Sequence, residues 1–354
     1  MKMNKIFVAA AGAGKTEHIV KTAFSLKVPV LITTFTDENV NEIIDRFYQL
    51  YGYVPTYVHI LPWYTFVIKF LIKPFQNDFI KQNINGIILA AGQSAPFKRK
   101  DNIKHYLSEG NRLYSDKIGE LACKFYNDFN GFTIENLGQI FEYILIDEMQ
   151  DMGAYDIELI KLFICNKINV MCVCDPRQST YKTSNGRKNK GKSGINILDS
   201  LSSLEVQIDD RSLNTNHRCC SDITKYSDLI YPDFPTTGCD TNYIDNHLGI
   251  FFVRSSDINE YLAKYNAYQL TYRVTDPYNK NYNRMNIGIS KGKSFDRTLL
   301  YLPTTFTNWI CKGGSLAPKS RADLYIAITR ARLSVAIVYD YDSHFNHIHI
   351  KRYK

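Results

Sequence analysis

Ala9-Ala10-Ala11-Gly12-Ala13-Gly14-Lys15-Thr16 is the stretch on which the reading of this chain turns. Small residues let consecutive backbone N–H groups curl around an anion, and a helix starting behind them adds the positive end of its dipole. The flanks fit. Lys5 to Ala10 is a short apolar run of strand type, and Ile19, Val20 and Ala23 recur at helical spacing behind the loop. In a strand, loop, helix context of this kind the backbone of Ala11, Gly12, Ala13 and Gly14 forms a phosphate cradle. Lys15 is placed for the β- and γ-phosphates and Thr16 for a magnesium ion. Ala9 stands where the pattern usually has its first glycine.

Working outward, the same alternation returns. Val28 to Thr34 reads as a strand, and Asn39 to Tyr51 as a helix with Val40, Ile43, Ile44 and Phe47 on one face. Tyr143 to Ile146 and Asn169 to Cys174 are buried-strand candidates. Strands alternating with helices predict a parallel α/β sheet. Ile144-Leu145-Ile146-Asp147-Glu148 is the acidic half of a nucleotide site: Asp147 for the metal, Glu148 to position or deprotonate the attacking water. From 75 to 140 the periodicity is mainly helical, with Ile118, Leu121, Ala122 and Phe125 as a core face, which predicts a helical insertion. After a break near 205–212, a helix around Ile223, Tyr226 and Ile230 and strands at Thr298–Leu302 and Ser334–Tyr339 predict a second α/β domain. The expected division is 1–208 and 209–354, with 232–284 as a reduced insertion in the second domain.

Bulk properties narrow the class. The chain has 354 residues, room for two domains, and 45% hydrophobic with 22% charged residues excludes wholesale disorder. A net charge of +8 and a pI near 8.9 favour polyanionic partners. Eight cysteines without a C-x-x-C pair imply free thiols in a reducing compartment, hence the cytoplasm, and no zinc site. No apolar run reaches membrane-spanning length, since Lys69 and Lys73 interrupt the best one. Lys98-Arg99-Lys100 and the group Arg187, Lys188, Lys190 and Lys192 are either phosphate contacts or solvated loops. His344, His347 and His349 read as an alternating strand edge rather than a metal site.

Seven further segments carry a family likeness. Asp147-Glu148-Met149-Gln150-Asp151 resembles the D-E-x-Q-D signature of the UvrD-like superfamily 1A DNA helicases, the UvrD, Rep and PcrA type. Thr33-Thr34-Phe35-Thr36 with Asn39 resembles T-F-T-N, and Trp63-Tyr64-Thr65-Phe66 stands where the family has F-H-S-F. Cys174-Asp175-Pro176-Arg177-Gln178-Ser179-Thr180-Tyr181 resembles G-D-x-x-Q-S-I-Y, and Asn216-His217-Arg218 resembles N-Y-R. Ser290-Lys291-Gly292 with Phe295-Asp296 resembles A-K-G-L-E-F-D, and Tyr325 to Ala331 reads Y-I-A-I-T-R-A.

The resemblance implies two RecA-like P-loop NTPase domains with a small helical insertion in the first, and ATP with Mg2+ held at their interface. It further implies Gln178 sensing the γ-phosphate, Arg218 and Arg330 as arginine fingers, His217 beside adenine, and Gly292 near the nucleotide. Phe35, Thr36, Trp63, Thr65, Tyr181 and Lys291 fall at the strand-contact elements, with Lys188 and Lys190 as added phosphate contacts. Three departures stand out: Thr183 and Ser184 where the family carries tryptophan and arginine, Ser294 for a glutamate, and only about 65 residues between the Arg218 and Lys291 elements. The expectation is a compact translocase or helicase on single-stranded DNA, 3′ to 5′, with RNA left open, needing an accessory protein for duplex unwinding. The alternatives are a nucleic-acid-dependent regulatory ATPase without productive unwinding, or a purely structural binder, against which intact Lys15, Asp147, Glu148, Arg218 and Arg330 argue.

Overall fold

The computed structural model describes residues 4–354 apart from 91, 181–187, 190, 192 and 193, and apart from the side chain of Ile195. The chain divides into two units, one made of Met1–Val8 and Lys15–Asp209, the other of Ala9–Gly14 and Asp210–Lys354.

Unit 1 is built on six parallel strands: β1 (Lys5–Val8), β2 (Val30–Thr34), β3 (Val58–Pro62), β4 (Tyr143–Ile146), β5 (Asn169–Cys174) and β6 (Gln207–Asp209), in the order β3-β2-β4-β5-β1-β6. Parallel neighbours need crossovers, and helices α1 (Lys15–Leu26), α2 (Asp37–Tyr51) and α6 (Ala154–Cys165) supply them. The central strands are buried on both faces, so they read as continuous apolar runs: Ile32, Ile144, Leu145 and Val173 are all fully buried. Helix α2 starts sharply because Thr36 accepts from the Asn39 N–H at 3.2 Å, and it ends at Gly52 in the left-handed region (φ 78°). Helix α3 (Trp63–Val67) continues as a π turn to Ile72 and a 3₁₀ turn to Asp78.

The insertion differs from its expected form. Helices α4 (Ile118–Asp128) and α5 (Phe132–Ile140) occupy its C-terminal third, whereas 79–117 consists of turns, short 3₁₀ segments and a two-stranded pair, Ile87–Ile88 with Leu113–Tyr114. That stretch is rich in Asn, Gly and Ser, which satisfy backbone groups locally in turns and disfavour helix.

Unit 2 repeats the plan with β7 (Gly249–Val253), β8 (Tyr268–Thr271), β9 (Arg284–Asn286), β10 (Phe295–Tyr301), β11 (Ala331–Val338) and β12 (Lys351–Arg352), all parallel, in the order β9-β8-β10-β11-β7-β12. Helices α7 (Ser221–Ile230), α8 (Ile258–Tyr265), α9 (Thr304–Lys312) and α10 (Pro318–Ile328) connect them. Residues 232–284, read from sequence as a reduced insertion, contain β7 and β8 and so contribute two strands to this sheet. The histidine stretch 344–349 lies in turns ahead of β12 rather than on a strand edge; Asp342 and Asn346 side chains cap its backbone N–H groups at 2.8 and 3.0 Å.

His247 pins one end of unit 2. Its ring is stacked between Phe251 and Tyr265, with centroids 3.8 and 3.9 Å away, and Nε2 meets the Tyr261 hydroxyl at 3.0 Å. Burial, then the nearby Arg297 guanidinium, push its pKa down to about 4. Folding therefore holds the ring neutral while the unfolded chain takes up a proton below pH 6.5, so stability is lost as pH falls from 6.5 towards 4. Replacing His247→Phe is expected to flatten the acid side of a melting-temperature profile in that window, by an amount on the order of 2 kcal/mol at about pH 4.

Candidate nucleotide site

Within unit 1 the in-register pairing of the strands brings the acidic motif to the helix that succeeds the glycine loop. Thr33 pairs with Ile146, and the Asp147 N–H donates to the Thr33 carbonyl at 2.9 Å. Thr16 Oγ1, in the first turn of α1, donates to Asp147 Oδ2 at 3.5 Å. A hydroxyl and a carboxylate side by side are hard oxygen donors of the kind Mg2+ takes together with nucleotide phosphates. Among the described residues no cluster of three or more His, Cys, Asp or Glu could hold a metal alone. Thr16 and Asp147 would fit as two oxygen ligands of a magnesium ion, with the rest of its shell supplied from elsewhere. Asp147 is buried; desolvation and the adjacent Glu148 carboxylate push its pKa up, to about 7, against the pull of Lys15. Such a carboxylate is primed to gain from a divalent cation, which favours its ionised form.

Glu148 stands in the left-handed region (φ 53°), a conformation that costs a branched or long side chain and that clusters at functional sites. Gln150 holds it in place: Nε2 donates to Glu148 Oε2, and Oε1 accepts from the Asp175 N–H at 3.0 Å. Asp175, fully buried at the end of β5, accepts from Arg177 Nε at 2.7 Å and from Gln178 Nε2 at 2.8 Å. One hydrogen-bonded line thus links Glu148 through Gln150 and Asp175 to Gln178. The sequence motifs assign roles to its two ends; Gln150 and Asp175 lie inside the same motifs, but their orienting part needs the geometry.

The loop Ala9–Gly14 is grouped with unit 2. There the Ala10 N–H donates to the Leu213 carbonyl at 3.0 Å, the Ala11 N–H to the Tyr325 hydroxyl at 3.2 Å, and the His217 N–H to the Gly12 carbonyl at 3.0 Å. Gly12 (φ 73°) admits no side chain: a Cβ there lies 2.7 Å from Asn216 Oδ1 and 2.8 Å from the Arg218 Cβ. Asn216 itself is buried and accepts from the Arg218 and Cys219 N–H groups at 2.7 and 2.8 Å, fixing the turn that carries Arg218. Arg218 and Arg330 converge on Thr329: Arg218 Nη1 reaches its carbonyl at 3.5 Å and Arg330 Nη2 its hydroxyl at 3.3 Å. Arg330 is almost wholly buried and also bonds the Ile326 and Lys293 carbonyls at 3.2 Å each. His217 is exposed, its Nδ1 2.7 Å from Asp240. Gly292 (φ 84°) is exposed beside the half-buried Lys291.

The expected strand-contact residues are scattered in character. Thr65 and Lys188 are exposed, Phe35 is half-buried against Tyr64, and Thr36 caps α2. Tyr181 and Lys190, with Arg187, Lys192, Thr183 and Ser184, lie outside the described residues. Trp63 is corrected outright. It is fully buried, packs on Phe66 and Phe163, and donates its indole N–H to Asp156 Oδ1 at 2.9 Å, so no base can stack on it. An aromatic inside a helix start looks alike from sequence whether it faces core or solvent.

Residues 100–189 match the model of the UvrD/REP helicase N-terminal domain. This match, over a quarter of the chain, agrees with the resemblance of its sequence motifs to the UvrD-like superfamily 1 helicases. No curated protein matches it. Among solved structures, the arterivirus nonstructural protein 10 helicase is similar at 16% identity, covering 96% of this chain and 60% of that one, with a TM-score of 0.50. The same arterivirus protein in complex with DNA has 14% identity, 96% and 61% coverage and a TM-score of 0.49. The PRRSV helicase has 14% identity, 94% and 52% coverage and a TM-score of 0.46. The chain thus spans 60% of the length of the first of these, and that likeness bears on fold alone: two parallel-sheet units of RecA type.

If Trp63 is core, Trp63→Ala destabilises the protein by about 3–5 kcal/mol in urea unfolding. A loss confined to strand affinity, with stability intact, contradicts a core position for the ring.

Proposed function

We propose that this protein is an ATP-dependent translocase on single-stranded DNA. The observation that carries the reading is the line of contacts from Thr16 and Asp147 through Glu148, Gln150 and Asp175 to Gln178, all assembled in unit 1 at the C-terminal ends of parallel strands. In this reading Lys15 neutralises the β- and γ-phosphates, while Thr16 and Asp147 hold the magnesium ion, which offsets phosphate charge when bound. Glu148, oriented by Gln150, accepts the proton of the attacking water. Gln178, oriented by Asp175, faces the γ-phosphate. Arg218 and Arg330 are proposed to stabilise charge developing on the transferred phosphoryl, Arg218 directly and Arg330 by fixing the Thr329 turn that Arg218 also touches.

The direction, 3′ to 5′, the ATP site where two RecA-like domains meet, and a need for an accessory protein for duplex unwinding rest on the family resemblance and belong to the same proposal. So does location in the cytoplasm; no helix among the described residues is long and apolar enough to cross a membrane. The arterivirus structure with DNA names DNA as that protein's ligand, and DNA is proposed as the strand here.

ATP hydrolysis measured with single-stranded DNA, duplex and RNA side by side tests this. Single-stranded DNA is expected to stimulate turnover most, and Lys15→Ala to lower the stimulated rate by about 10²–10³-fold while most strand binding persists. Turnover unchanged in Lys15→Ala removes the assigned phosphate site. Turnover that is stimulated without displacement along a labelled strand favours the regulatory ATPase instead.

A further inference from the structure

A surface cavity of about 600 Å3 lies in the insertion of unit 1, lined among others by Ile103, Leu107, Tyr114, Phe97, Lys98 and Lys104. Its volume is that of a site for a ligand of nucleotide size. Phe97 is 97% exposed, an unusual position for a large apolar ring. The ring sits on a pinned turn. Ala95 adopts a left-handed conformation (φ 42°), the Lys98 N–H closes the turn on the Ala95 carbonyl at 3.1 Å, and His105 Nδ1 holds the Lys98 carbonyl at 2.8 Å. His105 is buried and anchored in turn on Glu120 at 3.2 Å, while the Ser94 N–H donates to Asp116 Oδ2 at 3.0 Å. The exposed ring is thus presented by scaffold.

Charge identifies the occupant. Between 95 and 112 five basic residues face two acidic ones. Arg99 is paired with Asp101 at 2.9 Å and Lys100 with Glu120 at 2.5 Å. Lys98 and Lys104, the two at the cavity, are exposed and have no carboxylate partner among the described residues; Glu109, the one acidic residue of the lining, pairs with neither, so the lining keeps an excess of positive charge. An exposed aromatic flanked by two unpaired ammonium groups suits a chain that alternates planar rings with phosphates. A protein segment has no comparable repeat of negative charge.

We propose that this cavity is a binding site for single-stranded DNA, separate from the nucleotide site, in which a base stacks on Phe97 and neighbouring phosphates lie against Lys98 and Lys104. The proposal rests on the reading of the protein as a strand-binding ATPase. It adds a grip located on the insertion rather than on the loops at the strand ends.

Anisotropy of a labelled oligo-deoxythymidine, titrated with the full chain across a salt series, tests it. Phe97→Ala is expected to weaken binding about tenfold, within what loss of one stacked base produces, and Phe97→Tyr to restore it. The double variant Lys98→Ala/Lys104→Ala is expected to lower the slope of log affinity against log salt by about 1.4, two phosphate contacts on a single strand. Because all three side chains are exposed, melting temperatures should stay at the wild-type value, which separates lost contacts from lost fold. If the unaltered protein binds the strand and both variants bind it with the same affinity and salt slope, the insertion site is overturned while the proposed function stands. If the unaltered protein binds no strand at all, the proposed function fails and this site fails with it.

Discussion

Parallel pairing of the strands is the constraint from which the remaining features derive. A parallel neighbour can be reached only by a crossover, so every strand of a sheet points the same way and every loop after a strand emerges at one edge. In unit 1 that edge collects the segments after Thr34, Ile146 and Cys174 and the start of α1, and the register is close: Val8 pairs with Cys174 and Thr33 with Ile146. Residues far apart in sequence, Thr16, Asp147 and Asp175, become neighbours for that reason alone. Chemistry is then a matter of which side chains occupy the few positions just beyond each strand.

Those positions carry the departures from ordinary packing rules. Asp147 and Asp175 are buried carboxylates, and Glu148 has a left-handed backbone. A buried carboxylate is costly unless charges or donors compensate it. Asp175 is compensated by Arg177 and Gln178 and serves as a structural pin. Asp147, with Lys15, the Thr16 hydroxyl and the Glu148 N–H as favourable partners and the Glu148 carboxylate opposing, remains short of positive charge. The contrast separates a carboxylate whose charge is compensated from one whose charge is not, although both follow apolar strands and look alike as text.

Much of this was legible in the sequence because the signals were local. A strand, small-residue loop and helix in succession, or an apolar run ending in Asp147-Glu148, needs no knowledge of distant residues. The central strands of both sheets were visible as apolar runs for the same reason. The features that escaped depended on long-range partners. Trp63 was indistinguishable from a strand-facing ring until Asp156, 93 residues away, was seen to accept its indole N–H. Residues 232–284 lack a strong period because β7 and β8 are short and separated by the eight-residue helix α8, and only pairing with β11 and β10 identifies them as sheet. Over 75–140 the helical period is clear only at Ile118, Leu121, Ala122 and Phe125, on α4, while the Asn, Gly and Ser residues before it satisfy their own backbone in turns.

Arg330 shows how a buried guanidinium can fix the position of a second arginine. Its guanidinium is committed to the carbonyls of Ile326 and Lys293 and to the Thr329 hydroxyl, so it ties the end of α10 to the turn after Lys291. Arg218 reaches the Thr329 carbonyl from the other side. A fixed Thr329 turn therefore constrains where the Arg218 guanidinium can lie, and any movement of α10 must be felt at Arg218 and at the Lys291 turn together. Hydrogen bonds from one buried arginine are thus a short physical route by which unit 2 couples the end of α10, the Arg218 turn and the Lys291 turn.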